Sequence, residues 1–177
     1  MTPRLLGIGI ISLAGTLAGP ELLACGDKYF IAARGVGYQQ AYKAKVPGSI
    51  VIFAPAQPGV SVALRSAPIQ AALRSAGHRL VVAGDAAELE RLLRAGGIDI
   101  VVTDLGRAPA IAQQQAPGRT RATVLPVMAL GKNPELSACR VSFTCELKSA
   151  DKPERFVLTI NAVMSERAKA LKSARGN

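Results

Sequence analysis

The chain has 177 residues, of which 49% are hydrophobic and 4% aromatic, with no Trp and a formal charge of +10. That length supports one good core rather than two. The core must be aliphatic, which suits an α/β fold whose sheet is covered on both faces and argues against an aromatic-rich interior.

In chain order, Arg4 is a lone positive charge, Leu5 to Leu17 is uncharged and largely apolar, and Ala18 to Ala24 is rich in small residues. This three-part pattern is expected to be an export signal over residues 1–24. Its apolar run is shorter than the ~20 residues of a spanning helix. Leu22-Leu23-Ala24-Cys25 resembles a bacterial lipobox, which implies a lipidated Cys25 and attachment to a membrane face. The other reading is cleavage near Ala24, with Cys25 kept as a thiol or half-cystine. Lipidation by one acyl chain would hold only weakly.

Removing residues 1–24 takes away Arg4 and Glu21, so the formal charge stays at +10. Such a surface favours a protein or other acidic partner. Lys and Arg are scattered without interleaved aromatics, so nucleic acid is not the expected partner. Arg167, Lys169, Lys172 and Arg175 read as the polar face of a last helix. Oligomeric state is not legible.

Residues 25–48 lack clean periodicity and are expected to be an extension of the domain. Gly35-Val36-Gly37 lacks the preceding buried strand and the lysine-hydroxyl pair of a phosphate-cradling loop, so it reads as a turn. Pro47-Gly48 marks the boundary of a domain spanning 49–177. Ser49 to Ala54 is a continuous apolar run and reads as a buried strand. Ser61 to Ala76 has helical spacing, with Pro68 implying either a kink or a helix that starts there.

The stretch from Gly77 to Leu105 predicts strand, helix, strand. Leu80 to Ala83 and Ile98 to Val102 flank Asp85 to Ala95, where Leu89, Leu92 and Leu93 form one stripe. Asp85 and Glu88 have capping-box spacing, and Gly96-Gly97 ends the helix. Ala108 to Gln115 predicts a short helix. Thr123 to Leu130 predicts a fourth strand, with Pro126 suggesting a bulge or irregular pairing. Val141 to Leu147 predicts a fifth, and Lys152 to about Lys172 a closing helix with Phe156, Ile160, Val163, Met164 and Leu171 on its apolar face.

The alternation predicts an open, doubly wound, mostly parallel five-stranded sheet. Cys139 and Cys145 are six residues apart, roughly 20 Å along a straight strand. They could not bridge without a sharp turn, and Cys25 is an alternative partner for either. His78 is a single His outside any cluster and reads as a surface side chain. Ser49, Ser61 and Ser66 lack a nucleophile-elbow pattern, and no C-x-x-C occurs.

The segment G-H-R-L-V-V-A-G-D-A-A-E-L-E-R-L-L-R-A-G-G-I-D-I-V-V-T-D-L resembles the middle βαβ of the receiver domain of two-component response regulators, and the similarity extends over about residues 49–170. The resemblance implies a flavodoxin-like sheet in the order 2-1-3-4-5, with any site outside the carboxyl ends of the strands. It places Asp104 on the phosphoacceptor aspartate and Lys148 on the lysine that contacts the phosphoryl group. The acidic pair that holds Mg²⁺ in receivers falls on Ala54 and Pro55, and the hydroxyl after the fourth strand falls near Gly131. A hard dication needs more carboxylate oxygens than one aspartate supplies, so no metal or other cofactor is expected.

The leading expectation is an exported or membrane-anchored, non-catalytic binding or assembly module with a degenerate receiver-like domain. There an Asp104–Lys148 ion pair could close the top of the sheet. One alternative is a sensor of small anions or metabolites using Lys148, Lys132 and the loop from Pro55 to Gly59. Another is a phosphorylatable receiver.

Overall fold

Five short segments of branched aliphatic residues build the sheet: β1 (Ser49–Phe53), β2 (Arg79–Ala83), β3 (Ile100–Asp104), β4 (Thr123–Met128) and β5 (Leu147–Lys148). The computed structural model of the chain describes residues 42–115, 121–130, 143 and 147–175. The chain divides into two compact units, Met1–Tyr38 and Gln39–Asn177, and all described residues belong to the second. The expected export signal, Cys25, Cys139, Cys145, Gly131 and Lys132 lie outside the described residues.

All pairings are parallel, in the order β2-β1-β3-β4-β5. Parallel neighbours need crossovers, and these are helical: α1 (Val60–Leu64), α2 (Ala67–Ser75), α3 (Ala86–Ala95) and α4 (Ala108–Gln114), with α5 (Pro153–Arg175) closing the domain. The pleat sends alternate residues to opposite faces. Ile50, Ile52, Ile100, Val102, Leu125 and Val127 meet α1, α2 and α5 on one side. Val51, Phe53, Val101 and Val124 meet α3 and α4 on the other. The sheet is therefore doubly wound and its core aliphatic, with fully buried Phe156 of α5 as the main aromatic exception.

Local chemistry explains where the helices start and stop. Asp85 accepts a hydrogen bond from the Glu88 N–H at 2.8 Å, and Glu88 reaches back to the Gly84 N–H at 3.0 Å. The reciprocal cap is one residue longer on its return arm than the usual box. Gly96 and Gly97 both take positive φ, 78° and 74°, a conformation L side chains disfavour, and this turns the chain from α3 toward β3. The expected helix over Ser61 to Ala76 is two helices. Pro68 sits in the first turn of α2, where its missing N–H has no partner to lose.

Pro126 causes no bulge, since Ile100 to Asp104 run in unbroken register with Thr123 to Val127. Thr123 N–H donates to Asp99 and Val127 C=O accepts from Leu105, so odd-numbered residues of β4 bond toward β3. The imino nitrogen of Pro126 therefore faces the β5 side, where paired residues begin only at Val127 and Leu147. Of the expected fifth strand, Phe143 lies at a bend and Leu147 opens β5; the rest is outside the described residues.

Ahead of Ser49, Tyr42 and Val46 pack against the core, and Ala44 N–H donates to Ala76 C=O at 2.8 Å. One further expectation is corrected. Leu171 is not on the buried stripe of α5. It is 37% exposed, because the buried face of the long helix ends at Met164 and the last turns run past the sheet.

Candidate functional site

In an open α/β sheet, the loops after the strands converge at the carboxyl edge and make the crevice where chemistry is placed. Asp104 ends β3 at that edge. Leu105 N–H still bonds Val127 C=O across the sheet, after which a tight turn closes with Arg107 N–H on Asp104 C=O at 3.2 Å. This turn folds the Arg107 side chain back over the strand ends. Its Nη1 lies 3.3 Å from Asp104 Oδ2, its Nη2 donates to Gln57 Oε1, and its guanidinium stands 5.7 Å from the centroid of the Phe53 ring. The pair is only partly wet, with Arg107 29% and Asp104 23% exposed.

The Asp104–Lys148 ion pair does not form among the described residues; the cation on Asp104 is Arg107. The register explains why. Asp104 aligns with Val127, and Val127 with Leu147, so β4 lies between the two expected partners. Two strand spacings are roughly 9.6 Å, and Lys148 falls one residue beyond Leu147, on the opposite pleat. The Lys148 side chain is exposed, and its N–H donates to Asp151 Oδ2 at 2.7 Å. The i,i+3 spacing of Asp104 and Arg107 was the available signal for the real pair, since one turn of chain brings such residues together.

Three of the other acids around this edge are already engaged. Asp85 and Glu88 cap α3, and Asp151 holds the turn after β5. Ala54, at the first of the positions where receivers place acids, is fully buried, and its N–H bonds Ala83 C=O. Among the described residues no three His, Cys, Asp or Glu side chains converge to hold a metal. A divalent ion on Asp104 would also lie within about 5 Å of the Arg107 guanidinium. At an effective dielectric near 20 the repulsion is roughly 7 kcal/mol. Displacing Arg107 avoids that cost only by giving up its contacts with Phe53 and Gln57.

His78 is corrected from surface to interior. It is 4% exposed. Its Nδ1 accepts from the Gly48 N–H at 3.1 Å, so Nε2 carries the proton and donates to Asn161 Oδ1 at 2.9 Å. The Asn161 amide in turn donates to Tyr42 C=O at 3.3 Å. Both ring nitrogens are thus committed to joining the start of β1 to α5.

The parallel order 2-1-3-4-5 with helices on both faces defines an α/β protein of flavodoxin-like architecture. Compared with protein-family models, curated proteins and solved structures, the chain matches none.

Proposed function

We propose that the protein is an exported or membrane-anchored, non-catalytic binding module built on a receiver-like domain whose phosphoacceptor position serves as a structural lock. The observation that carries this reading is the Arg107 guanidinium 3.3 Å from the Asp104 carboxylate. It engages the carboxylate that would have to attack a phosphoryl donor. Phosphoryl transfer needs cations that gather around the incoming group and a carboxylate free to attack it. Here the carboxylate is engaged within its own loop, and apolar Ala54 supports the same reading.

The export part rests on the charge and hydropathy pattern of residues 1–24. Among the described residues, no helix is long and apolar enough to cross a membrane. A single acyl chain on Cys25 would supply the attachment in the anchored form.

The test is incubation of the purified protein with Mg²⁺ and acetyl phosphate, and separately with beryllofluoride, followed by intact mass and amide NMR. The expected result is an unmodified chain and unmoved signals at Asp104, Leu105 and Gly106. Stoichiometric phosphorylation of Asp104, or metal-dependent shifts there, would overturn the proposal. Mass spectrometry of the protein from its own cells reads the other half. A chain beginning at Cys25, with or without lipid, is expected, and an intact Met1 to Ala24 in the cytosol would refute export.

A further inference from the structure

At the opposite end of β3 from Asp104, the amino-terminal edge of the sheet opens into a cavity of about 880 Å³. Its walls come from the end of α3, the Gly96-Gly97 turn, the end of α4, the lead-in to β4 and the last turns of α5. The two glycines add no side chains there. Leu93, Ile98, Ala122 and Leu171 give the cavity an apolar surface, which also explains why Leu171 faces away from the core.

Among the described residues, the charged groups at this cavity are three arginines, Arg94, Arg121 and Arg167, and two acids, Glu90 and Asp99. Both acids are engaged. Glu90 pairs with Arg94 at 3.2 Å. Asp99 accepts from the Ser49 N–H through Oδ2 at 2.9 Å, while its Oδ1 faces Arg167 Nε at 3.5 Å. Arg167 is held in place, 12% exposed, with Nη1 donating to Arg121 C=O at 2.6 Å. The Arg121 guanidinium is exposed and has no partner among the described residues. A fixed arginine beside one with no partner among the described residues, with Glu90 and Asp99 already occupied, leaves an excess of positive charge over an apolar recess.

We propose that this cavity binds an organic anion consisting of an apolar body with one carboxylate or phosphate group, the anionic group on Arg121 and Arg167 and the body against Leu93, Ile98 and Leu171. The volume lies within the usual ~300–1,000 Å³ range of ligand pockets, far larger than an inorganic ion needs. Guanidinium groups suit such anions because their paired N–H donors match the oxygen spacing. The inference does not depend on the reading of Asp104, which lies at the other end of the strand.

The experiment titrates the full chain with phenyl phosphate, benzoate, inorganic phosphate and phenol, following backbone amides by NMR. Decanoate-containing vesicles form a separate arm that distinguishes a lipid-borne anion from a soluble one. Saturable shifts at Gly96, Gly97, Ile98 and Ala122 are expected with at least one carrier of the organic anion. Inorganic phosphate and phenol should bind at least roughly tenfold more weakly. Arg121→Gln should weaken binding roughly ten- to hundredfold, the loss of one charged hydrogen-bonding partner. Leu171→Glu should do the same by placing a negative charge at the wall. Arg121 is exposed and Leu171 partly so, and unchanged amide signals in β1 and β3 establish that each variant is folded. The proposal is overturned by no saturable binding of any organic anion, by equal binding of phenol, by unchanged affinity in folded Arg121→Gln, or by shifts confined to Asp104 and its loop.

Discussion

Truncating His78 to Ala removes a buried imidazole that joins segments 83 residues apart. Two groups lose their partners: the Gly48 N–H, which donates to Nδ1 at 3.1 Å, and Asn161 Oδ1, which accepts from Nε2 at 2.9 Å. Each unsatisfied polar group in a dry site costs about 1–3 kcal/mol. The void left by the ring adds a smaller cavity cost, reduced wherever water enters. The expected loss is therefore about 3–6 kcal/mol, a large share of the ~5–15 kcal/mol that holds an ordinary domain together. Urea unfolding of the variant and parent, compared at similar m, measures it. His78→Gln places an acceptor and a donor in the same region and should recover part of the loss. A cycle with Asn161→Ala should show coupling of about 1 kcal/mol or more. A loss below about 1 kcal/mol for His78→Ala, or no coupling to Asn161, would refute the assignment of both ring nitrogens.

Three other perturbations follow from the same geometry. A Cβ on Gly48 would stand 2.6 Å from Met164 Cε, the far end of a flexible side chain that must repack, so Gly48→Ala should destabilise by about 1 kcal/mol; adding Met164→Leu, which shortens the obstructing chain, should return part of it in the same urea titration. Asp85→Ala deletes the side-chain acceptor of the Glu88 N–H and should cost about 1 kcal/mol, with amide exchange accelerated at the start of α3 and little changed in β3. Arg107→Ala removes a partly exposed ion pair and the contact with Phe53, for a loss of about 1 kcal/mol. On the proposed reading, the variant should still resist acetyl phosphate with Mg²⁺, and phosphorylation of Asp104 on removing Arg107 would identify a blocked switch instead.

The legible parts of this protein are those whose cause lies within a few residues. The Asp85 and Glu88 cap, the Leu89, Leu92 and Leu93 stripe, the Gly96-Gly97 stop and the Pro68 start each follow from chemistry spanning one helical turn. The aliphatic runs of β1 and β3 could be read as buried on both faces, and they are. Pro126 was misleading because local preference does not say toward which neighbour a strand residue bonds; the pairing with β3 and the late start of β5 decide that. At the carboxyl edge, the absence of acids at Ala54 and Pro55 was visible in the chain, but the cation that answers Asp104 was sought across the sheet in Lys148 rather than one turn ahead in Arg107.

The amino-acid order by itself determined the strand and helix alternation, the aliphatic core and the lack of an acidic pair after β1, because periodicity and residue type act locally. Tertiary structure alone decided that His78 is interior, that Arg167 reaches Asp99 and that Leu171 lines a cavity. Each depends on where α5 crosses the sheet, bringing Arg167 to Asp99 and Asn161 to His78 from distant points in the chain. Such contacts arise from the packing of whole faces against one another, and no single helical turn or strand carries the information that sets it.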